Sequence, residues 1–445
     1  VNSDDYFVIN QIFISGNKTT KLHIIIRELE FRKSDTLSTK QLQEVLDNSR
    51  KNLLNTSLFN FVKLDTINLG ENRIDINIDV TERWYTWPVP LIEIDERNFN
   101  TWWETKNLDR ASYGFYLVKN NFRGRMETLK LLLKFGYNEK YELSYFAPYV
   151  NKKQTIGLGF AASVNGTHEV AYNTVNDKLI YYKDEKNYLS ESFTSSVNML
   201  IRPNIHNSHN LELRYFQYHF DDTLLKLNDK FSYFNNYKLQ YLSFCYKFKN
   251  DYRDYKPYPL HGYYFDAEFT KDGFGLMREE KLDVLVVKSV FRKYCQFADR
   301  IYFASGISGK ISSSGFQPYY LQRGLGYSRD FVRGYEYYVV DGQNYAMLKT
   351  NIKYNLIPTK VRTFKFIPTE KFNKIHYAVY CNIYLDAAYV EDKQFQLNNS
   401  LSNEILFGSG IGLDFVTYYD KVLRLEYSIN KMKETGFFVH FIAPI

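Results

Sequence analysis

The sequence predicts a transmembrane β-barrel of about sixteen antiparallel strands, preceded by one small α+β domain of order β-α-α-β-β. Three observations predict it. Hydrophobic periodicity switches from helical to a period of two near residue 84. Aromatic residues are in excess, with 40 Tyr, 35 Phe and 4 Trp in 445 residues, and they crowd the strand ends as interfacial girdles do. No apolar run reaches the roughly 18 residues that a membrane-spanning helix needs, which leaves a soluble chain or a barrel as the ways to satisfy the backbone.

Residues 1–83 carry the small domain. Phe7, Ile9, Ile12 and Ile14 read as a strand that ends at the turn Ser15-Gly16-Asn17. A first helix follows, capped by Thr19 or Thr20, with Ile24, Ile25 and Leu29 at helical spacing. The second begins at Ser38, where Gln41 completes a capping-box spacing, and carries Leu42, Val45, Leu46 and Leu53 on one stripe. Phe59, Phe61, Val62 and Leu64 start a strand. Ile74, Ile76, Ile78 and Val80 alternate with polar residues, as a half-exposed edge or meander strand would. A domain this small buries only a modest core, so a binding or docking module is expected.

Residues 84–445 carry the barrel. Leu423, Leu425, Tyr427 and Ile429 alternate with Arg424, Glu426, Ser428 and Asn430, and Tyr263 to Thr270 behaves the same way. Alternation alone also fits a soluble sandwich. Long strands such as Lys374 to Ala388, inward polar sets such as Lys374, His376, Asn382 and Asp386, and the aromatic girdles favour the membrane barrel. Sixteen segments are counted, with centres from about residue 93 to about 440. The longest connections, around 166–188 and 312–344, are expected outside the cell.

Composition excludes several classes. The balance of 57 Lys plus Arg against 50 Asp plus Glu gives +7 without a run of five or six like charges, so no nucleic-acid arm is present. Cys245, Cys295 and Cys381 are odd in number and far apart, which gives no disulfide scaffold, metal spacing or redox pair. The beginning Val1-Asn2-Ser3-Asp4 is no signal peptide; an exported protein that starts so has already lost its signal. The eight His show no metal spacing, and His206 and His209 read as solvated residues of a turn. Neither Glu279-Glu280 nor Asp221-Asp222 makes an acid/base dyad, because adjacent strand residues point to opposite faces. Gly306-Ile307-Ser308-Gly309 is strand-like and no nucleophile elbow. The chain is therefore read as no enzyme.

Between the strands near 305 and 350 runs Gln322-Arg323-Gly324-Leu325-Gly326-Tyr327, then Phe331-Val332-Arg333-Gly334-Tyr335. Here the sequence resembles the bacterial surface-antigen family of outer-membrane assembly factors, the BamA-like and TamA-like proteins, in which a long loop folds back into the barrel and carries a Val-Arg-Gly-aromatic tip. Ser15-Gly16-Asn17-Lys18-Thr19, Ile26-Arg27-Glu28-Leu29 and Leu54-Asn55-Thr56-Ser57-Leu58-Phe59 look like a POTRA (polypeptide-transport-associated) domain. Asn121-Phe122-Arg123-Gly124-Arg125, Tyr145-Phe146-Ala147-Pro148-Tyr149 and Gly408-Ser409-Gly410-Ile411-Gly412-Leu413 are similar to early and late barrel strands of that family.

The resemblance implies that the loop-tip residues Val332, Arg333, Gly334 and Tyr335 lie in the lumen, with Arg333 bonded to carboxylates on neighbouring strands. Inward parity makes Asp386 its natural partner, through the bidentate fork a guanidinium offers. The family commonly has a Glu one strand earlier, where this chain has Asn351 between Lys349 and Lys353. Arg333 is thus left with one expected carboxylate, unless Glu336 or another acid substitutes.

Pro88 and Pro90 in the first barrel strand, and Pro444 after Phe437 and Phe441 in the last, remove ladder donors at the seam where the barrel closes. They either lie in a linker and beyond the last rung, or weaken a lateral gate that offers unpaired backbone to an incoming strand. The resemblance implies an outer-membrane factor of a Gram-negative bacterium, with its POTRA domain in the periplasm. It would insert β-barrel clients or move polypeptides across the membrane, without nucleotide, metal or other cofactor. Partners would be unfolded outer-membrane or secreted polypeptides, the lipid bilayer, and a periplasmic or lipoprotein partner docked on POTRA strands, with no nucleic acid. A single POTRA domain resembles short, client-dedicated members. The rivals are a client-dedicated secretion pore and a barrel that scaffolds a partner complex without transport.

Overall fold

The computed structural model describes residues 6–94, 111–233, 236–277, 282–313, 317–327, 330–365, 367, 369–394, 399–417 and 419–441. The N-terminal domain comprises β1 (Tyr6–Ser15), α1 (Leu22–Ile26), β2 (Thr36–Ser38), α2 (Thr39–Asn55), β3 (Phe59–Gly70) and β4 (Arg73–Glu82). The capping box starts α2 as its spacing predicts: Gln41 N–H reaches Ser38 Oγ at 3.4 Å and Ser38 N–H reaches Gln41 Oε1 at 3.0 Å. Leu42 and Leu53 of α2 are buried with Ile24 and Ile25 of α1 against Ile9, Ile74, Ile76, Ile78 and Val80.

One expectation fails here for an identifiable reason. Neither Thr19 nor Thr20 caps α1, because the Thr20 hydroxyl and both backbone N–H groups are taken by the Glu82 carboxylate; Lys21 stands at the cap. Of the two alternatives for β4, edge or meander, the second holds: it pairs antiparallel with the preceding β3 and is not an edge. The sheet order is β2-β1-β4-β3, with β1 and β4 paired in parallel, and the alternation in β4 reflects one face covered by helices and one left polar.

After a three-residue link the chain enters one antiparallel sheet of sixteen strands, from β5 (Thr86–Ile94) to β22 (Thr435–His440). All sixteen counted segments fall on its strands. The strands that build the site are β18 (Asn344–Thr363), β19 (Lys374–Glu391), β20 (Ile405–Thr417) and β21 (Lys421–Asn430), each paired with the next. Ile352, Ile383, Ile411 and Tyr427 face outward and exposed, while Asn351, Asn382, Asp414 and Glu426 face inward and buried. Apolar out and polar in is the pattern of a membrane barrel.

Within the 166–188 connection, β10 (Glu169–Val175) and β11 (Lys178–Lys183) form a separate hairpin. Its Asp177 carboxylate accepts the N–H groups of Ser400 and Leu401, and its carbonyl accepts Val339 N–H, so the hairpin lies across two other connections at the far rim. His206 and His209 are not two solvated turn residues. His209 sits on β13 (Asn207–Phe220), with its Nδ1 2.9 Å from the Tyr246 hydroxyl; His206 does lie in the bend before β13, but it stacks on Tyr252 and has Glu30 of the N-terminal domain 3.7 Å away.

Candidate functional site in the barrel lumen

The 313–343 connection turns into the lumen, and its tip meets the inner faces of β18 to β21. Gly334 turns the chain at φ +94°, a conformation that disfavours any side chain. Gly408 on β20 lets it approach: a β-carbon there would stand 1.8 Å from the Arg333 carbonyl oxygen. Val332 and Tyr335 are buried with Leu325, Val340, Tyr345, Met347 and Leu406, which seats the tip on apolar contacts.

Arg333 is 1% exposed and every donor of its guanidinium has an acceptor. Nε and NH2 grip the two Asp386 oxygens at 2.8 and 2.5 Å. NH1 reaches Asn351 Oδ1 at 2.9 Å and Glu426 Oε1 at 3.4 Å, and NH2 also reaches the Thr350 carbonyl at 3.1 Å. The Tyr384 ring lies 3.7 Å from the guanidinium carbon, so the cation is stacked as well as forked. Asn351 thus serves as a neutral acceptor, and the second carboxylate comes from Glu426 on β21. Glu336 does not take that part; it accepts the Gly334 N–H at 2.8 Å.

A second lumen cluster lies toward the N-terminal domain. Arg424 on β21 forks onto Asp414 of β20 at 2.6 and 2.8 Å and stands 3.7 Å from Glu426, which links the two clusters. The connection between β14 (Lys238–Asp251) and β15 (Gly262–Asp272) folds inward, so that the Tyr258 hydroxyl donates to Asp414 at 2.7 Å and Lys353 Nζ lies 4.2 Å from the Tyr258 ring centre. Sequence reasoning missed Glu426, Tyr384, Tyr258, Asp414 and Arg424 as site residues. For the strand residues the signal was present in the inward parity of β19, β20 and β21; Tyr258 in a connection carried none.

The N-terminal domain is seated on the near rim through six strand connections. Lys21 N–H bonds the Gly124 carbonyl, Arg27 the Gln154 carbonyl, Asn55 the carbonyls of Arg253 and Asp254, and Asn60 the Lys371 carbonyl. Two ion pairs anchor the ends of this seat. Arg202 holds Glu28 at 2.8 Å, and Arg83 holds Asp420 at 2.5 Å. Burial pushes the Glu28 carboxyl up, yet the Arg202 guanidinium beside it reverses this and leaves it below the ordinary value.

Among the described residues no ladder joins β5 to β22; the sheet order ends at those two strands. Pro88 and Pro90 lie inside β5, opposite Leu117 and Phe115 of β6 (Ala111–Phe122), and not in a linker. Phe437 and Phe441 point outward at 61% and 74% exposure, as lipid-facing groups do, and Pro444 falls outside the described residues. A cavity of about 400 Å³ lined by Trp84, Trp87, Val89, Tyr116, Tyr419 and Lys421 separates the first strands from the β20–β21 turn at the near rim.

The family described as POTRA, surface antigen variable number repeat, matches residues 7–83. No curated protein matches the chain. Among solved structures, BamA from Haemophilus ducreyi lacking POTRA domains 1–3 aligns over 98% of this chain and 83% of its own, at 15% identity and a TM-score of 0.53. CdiB from Escherichia coli aligns over 99% of this chain and 74% of its own, at 12% identity and a TM-score of 0.55. At such identities the likeness is one of fold, a POTRA domain followed by a sixteen-stranded barrel.

Proposed function

We propose that this chain, a POTRA domain followed by a sixteen-stranded barrel, is a non-enzymatic outer-membrane factor of the surface-antigen type that assembles barrel clients or moves polypeptides across the membrane, working at the seam between β5 and β22. The observation that carries this reading is the pair of sheet ends, β5 and β22, with no ladder between them among the described residues. Two prolines in β5 remove N–H donors, and an edge strand with free backbone groups templates another strand. Strand pairing and client folding supply the free energy, without a nucleotide.

The filled lumen favours the seam over passage through the pore. The loop tip, the inward connection with Tyr258 and the docked POTRA domain would all have to leave before a chain could pass. In this reading the POTRA domain lies in the periplasm and receives clients or a partner on its strands.

Conditional depletion followed by quantitative proteomics of the purified outer membrane tests the proposal. Loss of many barrel proteins marks a general insertase, and loss of one or a few marks a dedicated factor. Unchanged membrane composition would refute the assembly reading. Cysteine pairs across β5 and β22 test the seam separately: full crosslinking with client levels intact would remove it from the mechanism.

A further inference from the structure

Beside the Arg333 latch, three side chains from three separate segments converge. Glu336 follows the loop tip, Glu426 lies on β21 and His440 ends β22. His440 Nε2 stands 3.2 Å from Glu426 Oε2 and 3.6 Å from Glu336 Oε1, and the three atoms fall within 4.8 Å of one another. All three atoms are shielded from solvent, Glu426 is 0% exposed, and the polar contacts of these atoms are to one another. Two carboxylate oxygens and an imidazole nitrogen that face one point away from water require a cation between them, either a proton or a metal ion.

Each of the three is held in place from behind. Glu336 Oε2 accepts the Gly334 N–H, which turns Oε1 inward. Glu426 Oε1 faces Arg333 and Arg424, which leaves Oε2 for the cluster. The His440 ring stacks on Phe331 at 5.5 Å and 25°. Outer contacts of this kind orient metal ligands.

The donor set selects among ions. One imidazole nitrogen and two carboxylate oxygens suit Zn²⁺ and its neighbours; Ca²⁺ seeks six or more oxygens, and Cu⁺ prefers sulfur. A tetrahedral site with bonds of about 2.0–2.2 Å places neighbouring donors roughly 3.3–3.6 Å apart, close to the two spacings from His440. A proton on His440 would be the alternative occupant, but a single N–H cannot point along both carboxylates, whereas a divalent ion neutralises both.

We propose that Glu336, Glu426 and His440 form a three-ligand site for a divalent transition-metal ion of the Zn²⁺ class, with water in the fourth position. The ion ties the loop tip to the last two strands of the barrel. Because its ligands come from a connection and two strands, no short spacing in the sequence announces it. The two guanidinium groups on Glu426 weaken that ligand, so binding is looser than in a closed four-ligand site. The site is independent of whether clients are inserted or passed through.

The test uses the full chain, folded in detergent and stripped with EDTA. Zn²⁺ is titrated calorimetrically, and Co²⁺ is followed by visible absorption. The expected result is one equivalent bound, with the ligand-field bands of four-coordinate Co²⁺. His440→Ala and Glu336→Gln should each lose at least about ten-fold in affinity while far-UV spectra and heat-modifiable migration stay unchanged. If neither ion binds saturably, or if both variants bind as the parent does, the proposal fails. Should His440→Ala not fold, Glu336→Gln in the loop carries the test alone.

Discussion

The hydroxyl of Tyr258 donates a 2.7 Å hydrogen bond to Asp414, so a residue from outside the strands is fixed to the inner wall of the barrel. Asp414 holds Arg424, Arg424 faces Glu426, and Glu426 faces Arg333. At its other end the same connection meets the POTRA domain, where Asn55 bonds Arg253, Asp254 and Lys256. A contiguous polar chain therefore runs from the docked domain to the loop tip.

Removing only the hydroxyl, in Tyr258→Phe, leaves Asp414 on its Arg424 fork and should cost about 1 kcal/mol. Tyr258→Ala also frees the inward connection. It should raise single-channel conductance in planar bilayers well above that of Tyr258→Phe. Equal conductance in the two variants would mean that this residue does not block the lumen.

Arg333→Ala leaves Asp386 buried and unpaired, for which about 3–5 kcal/mol of destabilisation is expected. Arg333→Lys restores a charge but neither the fork nor the stacking on Tyr384, and it should recover less than half. Urea unfolding midpoints and protease cleavage within the 317–335 segment read both effects. A loop that resists protease in Arg333→Ala would show that apolar seating alone holds it.

Gly408→Ala tests the same latch without altering a charge. Its β-carbon meets the Arg333 carbonyl oxygen at 1.8 Å, a backbone atom that cannot rotate aside as a side-chain end can. The expected outcome is loop release comparable to Arg333→Ala, with Ser409→Ala next to it close to the parent. The readout is again protease sensitivity of the loop.

His206 faces Glu30 at 3.7 Å, with both side chains about a quarter exposed. Glu30 raises the imidazole against the opposing effect of burial, and His206 is the main cause that lowers Glu30. A raised base contributes fully below its free value of 6.5 and loses its contribution as pH rises through the docked value. A lowered acid contributes above its free value of 4.5 and loses it as pH falls through its docked value. Docking should thus be firmest between those values and loosen as pH rises through the raised value of His206, by less than about 1 kcal/mol for so exposed a pair. Hydrogen exchange of residues 22–30 at pH 5.5 and 7.5, corrected for intrinsic rates, checks this. The difference should vanish in His206→Gln.

How much was legible follows from where each residue sits. Parity on a strand is fixed by a period of two, so Asp386 and Asn351 could be placed inside from the sequence. Which inward residue meets which depends on strand neighbours and on how deep the loop reaches, and those are tertiary facts. Glu426 lay on a face already read as polar, yet nothing local tied it to Arg333. Tyr258 and Arg202 sit in connections, where no periodicity constrains direction. Thr20 was misread because a hydroxyl before a helix looks like a cap whether or not a distant carboxylate such as Glu82 has claimed it.

The contacts that seat the POTRA domain join residues far apart in the chain, such as Ser57 with Asp420, separated by 363 positions. Pairings of such long range form late, since the loop they close must first be spanned. The seat for Asp420 exists only once the β20–β21 hairpin has been added to the sheet. Docking is therefore completed only as the barrel closes: one arrested before its final hairpins would hold the POTRA domain by earlier connections such as those at Gly124, Gln154 and Arg202, and would lack the Arg83–Asp420 anchor beside the tether.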